Sequence, residues 1–124
     1  MALAKEIMGG GLSAGQAQAI GGGYAAVTAT GSAQADAAAL TASNCVVAGA
    51  DGTKGVILAC NVGDSQTLFN NSGSTLKVYP QTGAAIAVAG TGLGSANAAF
   101  SQLTYKTTTY LRITATQYLA VTTA

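Results

Sequence analysis

Residues 63–86 read GDSQTLFNNSGSTLKVYPQTGAAI, and this stretch sets the texture of the whole chain. Gln66–Phe69 is a short strand. Asn70-Asn71-Ser72-Gly73 is a run of turn formers and predicts a hairpin. Thr75–Tyr79 returns as a second strand, with Leu76 and Val78 on one face and Lys77 and Tyr79 on the other. Pro80, the only proline, ends the pairing because it has no N–H to give a ladder. Ala84–Ala89 then alternates around Ile86 and Val88.

The same texture extends in both directions. Upstream, Tyr24–Thr30 alternates around Val27, Gly31–Asp36 reads as a loop, and Ala37–Leu40 favours neither helix nor strand. Asn44–Ala48 is a strand, Asp51-Gly52 marks a turn, and Val56–Cys60 is the most apolar strand and is expected to sit centrally. Downstream, Gly90–Gly94 is a loop and Ala96–Leu103 carries Phe100 and Leu103 into a strand. In Thr107–Thr114 the alternation predicts Leu111 and Ile113 inward, with Tyr110, Arg112 and Thr114 outward. Thr116–Val121 closes the chain. About eight or nine short strands with turns every 8–12 residues predict an all-β domain over 24–124. The expected form is a small antiparallel β-sandwich or barrel, with a jelly-roll-like arrangement among its variants.

Residues 1–23 differ and form a Gly-rich N-terminal arm. Leu3, Ile7 and Met8 would share one side of two helical turns, which Gly9-Gly10-Gly11 stops. Ser13–Ile20 is bounded by Gly21-Gly22-Gly23. Helices this short are marginal in water, so the arm is either flexible or orders on a partner.

Composition narrows function by exclusion. The chain has no His and no Trp, and only 4 acids and 5 bases among 124 residues. Proton transfer, metal ligation and nucleic-acid binding draw on residues that are scarce here, so no catalytic, cofactor or metal site is expected and the chain reads as a non-enzyme. A net charge of +1 gives no electrostatic reason to seek nucleic acid. No window approaches the ~18 apolar residues of a membrane helix, and no secretory signal is read, so synthesis in a host cytoplasm is expected. A solvated surface usually carries about a quarter to a third charged residues. With 7% here, the favoured reading is a surface covered by partners or by copies of the chain.

Local motifs weigh little against that. Ile86–Ser95 runs an apolar strand into Gly90-Thr91-Gly92, yet Ser95 stands where a dinucleotide fingerprint needs its third glycine, and no acid follows Asp64. Gly52-Thr53-Lys54-Gly55 lacks the spacing of a phosphate loop. Asn70-Asn71-Ser72 matches a glycosylation acceptor but is explained by its turn. Cys45 and Cys60 would face each other across a hairpin through Asp51–Lys54; two buried thiols are favoured over a bridge. Asp51 and Asp64 sit in turns for backbone reasons. Tyr79 and Tyr110, taken as exposed, are all that favours a carbohydrate- or receptor-binding module.

The stretch Gly63–Ile86, together with Ala96-Asn97-Ala98-Ala99-Phe100 and Ala115-Thr116-Gln117-Tyr118, resembles a small module of tailed-bacteriophage structural proteins. Its features are a Gly-Asp turn, a strand ending at Asn, a Leu-x-Val-Tyr-Pro strand and a Gly-Ala-x-Ile strand. The Tyr118 position is often Trp there. The resemblance implies a virion structural protein, specifically a capsid decoration or cement protein on the head surface. It also implies a homo-oligomer, a trimer for preference, with the major capsid protein as partner. Leu3, Ile7, Met8 and Leu12 would then anchor the arm across neighbouring capsid subunits. A tail fibre, tail or baseplate component is the alternative within the same class.

Overall fold

The computed structural model describes residues 23–88 and 92–123. Eleven strands are numbered along the chain. One sheet, here sheet A, has seven strands in the lateral order β1 (Tyr24–Thr28), β3 (Asn44–Ala48), β5 (Ser65–Asn70), β10 (Thr107–Thr114), β11 (Gln117–Thr122), β7 (Ala85–Val88) and β8 (Gly92–Leu93). Sheet B has four, in the order β2 (Ala38–Ala39), β4 (Gly55–Ile57), β6 (Leu76–Tyr79) and β9 (Phe100–Gln102). The only helical element among the described residues is a 3-10 turn at Gln34–Asp36. The chain is therefore all-β.

The antiparallel expectation is overturned, because both sheets are mixed. β1, β3 and β5 lie parallel, as do β2, β4 and β6, and β7 is parallel to β11. The reason is that the chain changes sheet at each turn from β1 to β7, so successive strands of one sheet run the same way. Tyr24 lies beside Asn44 and Asn44 beside Thr67, making a coil of roughly 20 residues per turn. Two expected hairpins are therefore arches. Asn70–Gly73 carries the chain from β5 in sheet A to β6 in sheet B, and Asp51–Lys54 joins β3 to β4 in different sheets. Only β10 and β11 make a long hairpin, with a bulge between Arg112 and Thr114.

The inner faces of both sheets share one core. Val47, Leu68, Tyr110 and Tyr118 from sheet A meet Val56, Leu76 and Val78 from sheet B, all fully buried. Phe100 of sheet B meets Tyr110 of sheet A edge-on, with ring centroids 5.8 Å apart. β6 keeps its expected faces, with Leu76 and Val78 inward. Val56–Cys60 does supply an inner strand, shortened to β4. Within sheet B, β4 and β6 approach closely at Gly55, where a Cβ would lie 2.5 Å from the Lys77 carbonyl oxygen. Gly31 is equally constrained: its φ of +72° closes the loop around Asp36, whose Oδ1 accepts from the Ser32 and Ala33 N–H groups.

Buried amide side chains bond to backbone groups where the two sheets meet. Gln102 Nε2 donates to Leu68 O at 2.9 Å and Lys106 O at 2.8 Å, and its Oε1 accepts from Tyr110 OH at 2.8 Å. Asn70 Nδ2 donates to Ser74 O and Gln102 O, and its Oδ1 accepts from Ser72 N–H. Burial holds the Tyr110 hydroxyl well above its ordinary value of 10, so it stays a donor. Tyr118 OH, equally buried, has no partner at bonding geometry.

The two tyrosines should respond oppositely to loss of the hydroxyl. Tyr110→Phe strands the Gln102 acceptor and should cost about 1–3 kcal/mol, whereas Tyr118→Phe should be neutral or stabilise by up to ~1 kcal/mol. Urea denaturation of both variants checks this, and equal losses would contradict the hydrogen-bond assignment.

Candidate interaction surface

The inversion of β10 builds the surface. Tyr110 is 0% exposed and points into the core, while Leu111 and Ile113 are 38% and 44% exposed. This corrects the expected faces. Tyr110 fits inward because Gln102 receives its hydroxyl and Phe100 its ring edge. Arg112 follows it inward. Its Nη1 donates to Cys60 O and Gln81 Oε1, each at 3.0 Å, its Nη2 donates to Ala115 O at 2.9 Å, and its guanidinium carbon lies 5.4 Å from the Tyr118 ring centroid. A cation over an aromatic face and three acceptors keep this charge among the loops at the sheet end.

Register then dictates what faces out. Leu111 pairs with Leu119, Leu119 with Ala87, and Ala87 with Leu93, so four apolar side chains form one row across β10, β11, β7 and β8, with Leu111 and Leu93 exposed and the small Ala87 buried. One row over, Thr109 pairs with Val121 and with Thr67, and the Thr67 and Thr109 hydroxyls bond each other at 3.0 Å. The row beyond sets Val46 beside Phe69. Arg112 is the only charged residue in the described strands of sheet A, and it points away from this face. The charges lie elsewhere: Lys77 on sheet B, and Asp36, Asp51, Lys54, Asp64 and Lys106 in connections. The charge-free outer face of sheet A is the feature that single-strand hydropathy missed. The signal available was the lack of any charge in residues 44–48, 65–70, 85–88 and 117–122.

Other expected residues scatter. Cys45 and Cys60 are both free and buried, and burial pushes both thiols up, against the opposing Arg112 charge at Cys60. A hollow of about 660 Å³ at one sheet end is lined by residues such as Leu40, Ser43, Cys60, Asn61 and Asp64. Burial disfavours the thiolate form of Cys60 there. No group of three metal-ligating side chains occurs among the described residues. No helix among them is long and apolar enough to cross a membrane. Tyr79 is half-buried and Tyr110 wholly buried, which removes the aromatic pair that favoured carbohydrate binding. The arm, with Leu3, Ile7, Met8 and Leu12, lies outside the described residues.

No family model matches the chain, and no curated protein or solved structure matches it either.

Two expectations follow from these groups. Asp51 Oδ1 accepts from Lys54 N–H, the Thr53 hydroxyl and Thr53 N–H, which lowers its carboxyl from 3.8 to about 2. The folded-state value is depressed, so its stabilisation is complete above the ordinary value and is lost as pH falls towards 2. An NMR titration of Asp51 with a midpoint near 4 would refute it. The thiols should resist a water-soluble disulfide reagent in the native protein and react fully in denaturant. Rapid native labelling of Cys45, which is 3% exposed, would contradict the burial.

Proposed function

We propose that this chain is a structural protein of a tailed-phage virion, a decoration or cement protein that binds the outer head shell and bridges capsid subunits. On this reading the two sheets form a β-sandwich whose copies assemble, a trimer being what the sequence resemblance implies. Residues 1–23 reach across neighbouring capsid subunits through Leu3, Ile7, Met8 and Leu12. The observation that supports it most is the charge-free outer face of sheet A with its exposed Leu111, Ile113, Val121 and Leu93, which suits a surface hidden in an assembly better than one facing water. Its work is mechanical: each interface formed with the closed shell and not with the burst one favours the closed state.

Purified particles give the test. The protein should occur on heads in a copy number proportional to the capsid protein. Heads stripped of it should burst at lower temperature, and adding it back should restore them. Recovery in a few copies with the tail fraction would place it in a fibre or baseplate instead.

A further inference from the structure

We infer that the outer face of sheet A is the surface through which this chain binds a second copy of itself. Three observations converge. The face carries no charge among the described residues, so its meeting with its own image brings no like-charge repulsion and buries no unpaired ion. Its central polar groups, the Thr67 and Thr109 hydroxyls, already satisfy each other, which lowers the cost of taking them out of water. The face also exposes Leu111, Ile113, Val121 and Leu93, large apolar side chains that a second copy would take out of water.

Size selects the occupant. The middle five strands span roughly 24 Å at ~4.8 Å each and about 20 Å lengthwise, a projected face of about 480 Å² before side-chain relief. A stable pair needs about 800 Å² of accessible surface from each partner, so nearly the whole sheet must be used. A second broad sheet does that, whereas a single extended peptide covers a strip. A partner recognised by charge would find nothing to pair with on this face.

The test uses the full chain without capsids. Sedimentation equilibrium should return a multiple of the 12.0 kDa mass. Leu111→Lys with Val121→Lys, both at exposed positions, should weaken that association ~100-fold, since each substitution recurs in every copy. Ala39→Lys, exposed on sheet B, should leave it unchanged. Hydroxyl-radical footprinting of the unmodified protein should show Leu111, Ile113 and Val121 becoming protected as concentration rises, and Leu103 and Tyr105 not. That measurement decides the matter even if the double variant fails to fold. A monomer at about 100 µM would overturn the inference, as would an oligomer indifferent to the two lysines. Protection independent of concentration would overturn it too, by showing that the chain covers its own face. Self-association in a protein that never joins heads would keep this inference and end the head-shell reading; a monomer found on heads would do the reverse.

Discussion

The Gln102 carboxamide holds the two sheets to one another, and much of the structure depends on what it satisfies. It stands on β9 in sheet B, yet its Nε2 reaches the carbonyl oxygens of Leu68 and Lys106, and its Oε1 takes the Tyr110 hydroxyl. Asn70 adds the Ser74 and Gln102 carbonyls from the sheet A side. At the other end of the sheets Gln66 does the same work: its Oε1 accepts from Ala59 N–H and its Nε2 donates to Ala42 O, tying two crossing segments. A chain that changes sheet at each turn buries backbone groups at its crossings, and these need partners. Each would cost about 1–3 kcal/mol if left bare. Buried amides, which both donate and accept, are the side chains suited to that task.

This constraint explains which parts of the fold could be read from the residues. Strand texture was legible because period-2 alternation depends only on local sequence, and β6 kept its faces. Strand partners were not legible. Asn70-Asn71-Ser72-Gly73 and Asp51-Gly52 are strong turn formers, but a turn bends the chain equally well into a hairpin or into an arch to the opposite sheet. The deciding groups, Gln66 and Gln102, lie in other segments and bond at separations such as the 24 residues between Gln66 and Ala42 or the 34 between Gln102 and Leu68. The parallel pairings follow from those arches. The candidate face was hidden for a related reason, since it exists only once β10, β11, β7 and β8 lie side by side.

The reversal in β10 shows where hydropathy misleads. In Tyr110-Leu111-Arg112-Ile113 the aliphatic residues are the more apolar, and scored alone the strand should bury them. Burial is decided instead by what the facing space can satisfy. Tyr110 finds an acceptor and an aromatic edge there, so its large ring adds more buried apolar area than a leucine would at no polar cost. Leu111 and Ile113 are displaced outward by parity alone, because a one-residue shift of face moves every side chain of the strand.

The unequal size of the sheets supplies the deeper cause. Seven strands face four, so β11, β7 and β8 lie at the side of sheet A where sheet B, ending at β9, offers less cover. The inner residues there must cover themselves. Tyr118 is long enough to do so, and the guanidinium of Arg112 lies over its ring while holding the loops at Cys60, Gln81 and Ala115. The Tyr118 hydroxyl remains without a bonded partner, which suggests that the ring's area rather than its polar tip is what the site uses. Drawing Arg112 inward as a lid has a second effect, because it was the one charged residue that the strands of sheet A could have shown to water. The same move that closes the core at its overhanging side thus leaves the opposite face of the sheet without charge.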